Sequence, residues 1–170
     1  MKSVFSEEAK GMDNYQAQDK NKGYPMKWHK WLIYFALIVG GILTLLDAVK
    51  YFTGSIYYSA GVEPWQVYRL YPMLKTADIL YGAAMVAVAV MAFVTRSKLA
   101  QMKTDGPQWL TRYYLAGIAA YVVYVVLYGM STNMMSTALA MVAKEVAGNC
   151  LMLWLNKKYY EKRKERFVNV

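Results

Sequence analysis

The sequence predicts an all-α membrane protein, a four-transmembrane-helix bundle with N and C termini cytoplasmic. Three observations carry that expectation. Of the 170 residues, 57% are hydrophobic, above the ~45–50% usual for soluble domains. The apolar residues gather in four runs, each near the ~20 residues that a membrane-crossing helix needs. Basic residues are divided very unevenly among the segments that join those runs. A soluble helical bundle would show a polar stripe on each helix, and "GAAMVAVAVMAFV" and "GIAAYVVYVVLYGM" show none.

Taken in order, residues 1–23 are polar, charged and without period, which reads as a disordered cytoplasmic tail. "YPMKWHKW" leads into the first span, 31–52. The loop "GSIYYSAGVEPWQVYRLYPM" follows, where Glu63 and Pro64 mark a helix start because proline suits a first helical turn; an irregular aromatic loop is the alternative. The second span covers 73–94, and "TDGPQW" turns tightly into the third, 110–130. "GMSTNM" is so short that the third and fourth spans (134–155) are expected to be antiparallel neighbours. Residues 24–156 thus form the transmembrane domain, and 157–170 a basic cytoplasmic tail. Small residues four apart, Ala36 and Gly40, Ala83 and Ala87, Ala116 and Ala120, suit close helix packing.

Six basic residues lie at or before Lys30, three between the second and third spans with Arg112 just inside the third, and six after the fourth. Arg69 stands alone in the first outer loop, and "STN" has none. Cytoplasmic loops carry the excess of lysine and arginine, so both ends belong inside. Trp28, Trp31, Trp109 and Trp154 fall at the inner boundary, where an aromatic belt forms. The first run is too long for a signal-peptide core and lacks a cleavage site, so it reads as an uncleaved anchor.

The formal charge of +9 is mostly this inner-face bias and implies no nucleic-acid partner. With one cysteine, Cys150, and one histidine, His29, an intrachain disulfide is excluded and no metal site or cofactor is expected. No nucleophile–base set or phosphate-binding loop is visible, so no catalytic residue is assigned. Lys157, Lys158, Lys162, Arg163, Lys164 and Arg166 follow the last span directly. They suit anionic lipid at the cytoplasmic face, at about 1 kcal/mol per basic residue; an acidic protein partner is the alternative.

Charges inside the spans are the sharpest signal. Asp47 and Lys50 in the first, and Lys75 and Asp78 at the start of the second, are spaced three apart and share a helix face. Lys144 in the fourth lies about 15 Å below the outer boundary at ~1.5 Å per residue. Depth matching predicts a cluster of Asp47, Asp78 and Lys144 capped by Lys50 and Lys75. Glu145 points elsewhere and has no cation at its depth, but Asn149 one turn on can hydrogen-bond it. A tyrosine stripe in the third span (Tyr114, Tyr121, Tyr124, Tyr128) offers further hydroxyls. These groups either lock the helices together or line a polar cavity.

"YPMKWHKWLIYFAL", "LKTADILYG", "DGPQWL" and "NKKYYEKRKERF" resemble a group of uncharacterised small bacterial four-helix membrane proteins that often carry an N-terminal zinc ribbon. Tyr24, Pro25, Met26, Lys27 and Trp28 match the lead-in signature, and Lys75, Asp78, Gly106 and Pro107 match interior positions, over about residues 24–167. No Cys-x-x-Cys is present, so the ribbon does not carry over. The resemblance implies a bacterial cell membrane and no activity. The leading expectation is a non-enzymatic scaffold, sensor or accessory subunit acting through lipid, a protein partner or a homo-oligomer. The alternative is a small-solute or proton-coupled transporter using Glu145 and the Asp47, Asp78 and Lys144 group.

Overall fold

The computed structural model describes residues 25–169, so the tail expected at 1–23 lies outside them. The chain forms α1 (Lys27–Thr53), α2 (Pro64–Leu70), α3 (Pro72–Ala100), α4 (Gly106–Thr132) and α5 (Met135–Glu161). The four long helices are each long and apolar enough to cross a membrane. Among the described residues there is no strand, only an isolated bridge between Lys103 and Asn169. The helix expected at Glu63–Pro64 is α2, with Pro64 in its first turn.

Every long helix overruns its apolar run, most of all at the polar ends. Charge stops a segment from sitting in hydrocarbon, but lysine and arginine remain good helix formers. α3 therefore continues through Arg96 and Lys98, and α5 through Lys157 and Lys158. Backbone geometry sets the stops: Gly54 (φ 73°) and Asn133 (φ 57°) close α1 and α4 in the left-handed conformation. Within α1, residues Leu32–Ala36 form a π turn. The Ile33 carbonyl of that turn accepts a hydrogen bond from Arg96 Nε at 3.0 Å.

α1 packs on α3, α3 on α4 and α4 on α5, giving an open arc of four antiparallel helices. The arc closes at one end only. At this base, Trp28 Nε1 donates to Asn156 Oδ1 at 2.9 Å, and His29 Nδ1 lies 2.9 Å from the Tyr160 hydroxyl. The His29 backbone N–H also donates to the Tyr159 hydroxyl at 3.2 Å. Toward the opposite end, the mouth, α1 and α5 share no such interface.

Glycines rather than the expected alanine pairs make the closest approaches. A Cβ on Gly41 would stand 3.0 Å from the Phe93 ring, one on Gly82 3.1 Å from Phe52, and one on Gly129 3.1 Å from Ala138. The Phe93 and Phe52 rings fill the space opposite a missing side chain, and Gly129 brings α4 against Ala138, close packing of the kind that suits helices long and apolar enough to cross a membrane. Ala83 and Ala87 are exposed instead.

The C-terminal segment is not a free tail. Helix continues to Glu161, and Phe167 is buried edge-on against His29 and Tyr160. Thr104 N–H donates to Asn169 O at 2.9 Å, and Asn169 N–H to Met102 O at 3.3 Å. One apolar ring within a basic run is enough to fold the segment back under the bundle.

Candidate functional site

Asp78 stands in the first turns of α3 and is 0% exposed. Three phenols surround it. Tyr57, from the 3-10 turn Ser55–Ala60, donates to Oδ2 at 2.7 Å, and Tyr68, from α2, donates to the same oxygen at 3.0 Å. Tyr124, from α4, donates to Oδ1 at 3.0 Å. The mouth loop reaches the carboxylate because Gly54 turns the chain and leaves no side chain: a Cβ there would lie 2.7 Å from the Tyr68 hydroxyl. Burial, then hydrogen bonding and the charge of Asp78, push Tyr57 above the ordinary phenol value; burial, then the charge and hydrogen bonding, do the same to Tyr68. Both remain donors at neutral pH.

Between α1 and α5, with α3 and α4 as its back wall, lies a cleft of about 690 Å³. It runs from Ser59 at the mouth down to Tyr113 and Tyr114. Asp47, Lys50, Glu145 and Asn149 supply its charged and amide groups, and Tyr51, Tyr81 and Tyr121 join the two floor tyrosines. Lys50 Nζ and Asp47 Oδ1 pair at 2.7 Å. Asn149 Nδ2 donates to Glu145 Oε1 at 3.0 Å, and also to the Glu145 backbone carbonyl at 3.0 Å. Glu145 therefore has an amide partner, and the other carboxylate of the cleft has a lysine.

The expected cluster of Asp47, Asp78 and Lys144 is not formed. Asp78 is satisfied by tyrosines, while Asp47 keeps to Lys50 on its own helix. Lys75 is exposed and caps nothing, and Lys144 is exposed on the side of α5 turned from α4. The reason is rotational. Buried Ala138 and Asn156 set the face of α5 toward its neighbours, and at ~100° per residue Lys144 lies well around the helix from it.

The tyrosine stripe divides between two tasks. Tyr114 and Tyr121 line the cleft, Tyr124 serves Asp78, and Tyr128 packs beside Tyr124 with ring centroids 6.3 Å apart. Tyr51, Tyr57, Tyr68, Tyr81 and Tyr113 were not singled out from sequence. Tyr57 sits in a turn with no period, Tyr68 lies in the short helix α2, where it reads as an interfacial aromatic, and the others lie in apolar stretches where tyrosine reads as packing.

Of the basic set, Lys157, Lys158, Lys162, Lys164 and Arg166 are exposed. Lys158 lies over the Trp154 ring, 4.4 Å from its centroid. Arg163 is part of the fold: it lies 3.6 Å from the Tyr159 ring centroid and donates to the carbonyls of Tyr159 and Pro25. Among the described residues no group of three His, Cys, Asp or Glu side chains could hold a metal ion.

Comparison with protein-family models, curated proteins and solved structures finds no match to this chain.

Proposed function

We propose that this protein is a non-enzymatic, multi-pass protein of a bacterial cell membrane that takes a small solute into the cleft between α1 and α5. One observation carries the reading. The cleft reaches Glu145, which a structure holding dry, fully paired charges would have sealed off. Its volume of about 690 Å³ falls within the ~300–1,000 Å³ range of small-molecule sites. The basic-residue distribution supports cytoplasmic termini, which puts the base inside and the mouth outside.

This geometry is what one state of a carrier requires. The mouth is open, and the Trp28–Asn156 and His29–Tyr160 contacts close the base. A carrier cycle would break those contacts and bring α1 and α5 together above Glu145. The test is counterflow of labelled small solutes in proteoliposomes, comparing wild type with Glu145→Gln. Flux lost in a well-folded variant supports the carrier. No flux of any solute in the wild type contradicts it.

A second reading, the scaffold or accessory subunit, keeps one observation of its own. Lys144 is exposed near the middle of α5, where facing lipid costs at least ~2.5 kcal/mol. A protein partner, or a second copy of the chain, would relieve that cost by covering the outer side of α5. Crosslinking from that side, with no solute flux, would favour this reading. The exposed lysines at the base support contact with anionic lipid under either reading.

A further inference from the structure

The charge left over in the cleft points to a class of solute. Three charged side chains line it: Asp47, Lys50 and Glu145. The first two neutralise each other at 2.7 Å, and among the described residues the Glu145 carboxylate is paired with the Asn149 amide and with no cation. The lining therefore carries one uncompensated negative charge. Five tyrosines line the same cleft, four of them on its back wall and Tyr51 on α1, and the face of a tyrosine ring attracts a cation within ~6 Å of its centroid.

We infer that the cleft is a site for a small monovalent organic cation, an alkyl- or aryl-ammonium held by Glu145 against the tyrosine wall. This rests on the solute-binding reading above. An anion would have to break the Lys50–Asp47 pair and then face Glu145. A zwitterion would gain at Glu145 but need the same lysine for its carboxylate. A metal ion would want several oxygen or nitrogen ligands at once, and the lining brings only Asp47 and Glu145 as carboxylates, with Asp47 already paired. An organic cation needs one carboxylate and aromatic surface, which is what the cleft leaves free. Tyr121 is the ring to test, because Tyr81 already stacks on Tyr124 with centroids 4.4 Å apart.

The experiment is titration calorimetry on the full chain in detergent with three probes of one shape: benzyltrimethylammonium, phenylalanine and phenylacetate. Benzyltrimethylammonium should bind and the other two should not. Glu145→Gln should weaken it about tenfold or more, since it removes the opposite charge that faces the cation. Asn149→Asp, which adds a carboxylate beside the first, should tighten it. Tyr121→Leu should weaken binding about threefold to tenfold, and Tyr121→Phe, which keeps the ring, should not. Equal or tighter binding of phenylacetate or phenylalanine would overturn the cation assignment and leave the solute reading standing. Benzyltrimethylammonium binding unchanged in both Glu145→Gln and Asn149→Asp would also overturn it. No binding of any probe would overturn the cation assignment, while the solute reading itself stands or falls on the counterflow assay.

Discussion

The Tyr124 hydroxyl donates to Asp78 Oδ1 at 3.0 Å, joining α4 to α3 with both side chains buried. The bond ties together the two helices at the back of the cleft. Tyr124→Phe leaves one buried oxygen short of a donor, which should cost about 1–3 kcal/mol. Asp78→Asn should also destabilise, and the double variant should lose less than the sum of the two. The contrasting pair is Asp78→Asn with Lys144→Met, whose effects should simply add because the residues do not meet. Detergent melting curves of the five variants decide it; coupling between Asp78 and Lys144 would restore the cluster expected from depth.

The phenols at Asp78 have a pH signature. Tyr57 and Tyr68 are held above the ordinary value of about 10. The unfolded chain would ionise these phenols first as pH rises. Their contribution to stability is therefore complete below about pH 10 and is lost as pH climbs through the folded values. The alkaline limb of stability against pH should be less steep in Tyr57→Phe, read by circular dichroism between about pH 9 and 12. An unchanged alkaline limb would show that Tyr57 is not held there.

At the base, Asn156 is buried and accepts from Trp28 while its amide donates to Met152 O at 2.8 Å. Asn156→Leu removes the acceptor and leaves the indole N–H unpaired, so the α1–α5 contact should loosen. The expected result is hydrogen–deuterium exchange that rises around residues 27–31 and stays level in the middle of α3. Uniform exchange across both helices would mean that the contact does not hold the base closed.

Sidedness rests on the basic residues alone. In a Cys150→Ala background, a cysteine at Ser59 should react with an impermeant thiol reagent in intact cells, and one at Ser97 should not. The reverse pattern would invert the orientation. Reaction at both would contradict four crossings.

The long helices were legible because each is built on an apolar run long enough to cross a membrane, and those runs are visible residue by residue. Contacts within one helix were legible too: Asp47 with Lys50 and Glu145 with Asn149 follow from spacings of three and four. Contacts between helices were not. Apolar runs fix how deep a residue lies but not which way it points around the axis, so Lys144 matched Asp78 in depth and missed it in direction. Tyr57 and Tyr68 were hidden for a different reason. They reach Asp78 only because Gly54 turns the chain back, and a single left-handed turn leaves no periodic trace. Phe167 was read with its basic neighbours, although one buried ring folds the segment.

Solute binding as proposed requires a water-filled cleft that opens at the mouth, reaches Glu145 and stops above the base. A cysteine at Asn149, in the Cys150→Ala background, lines that cleft one turn from Glu145. A cysteine at Leu151 lies on the exposed outer side of α5. In intact cells, an impermeant cationic methanethiosulfonate reagent should modify the Asn149 position and leave Leu151 unmodified. Asn149 staying unreactive while Ser59 at the mouth is labelled would contradict the cleft.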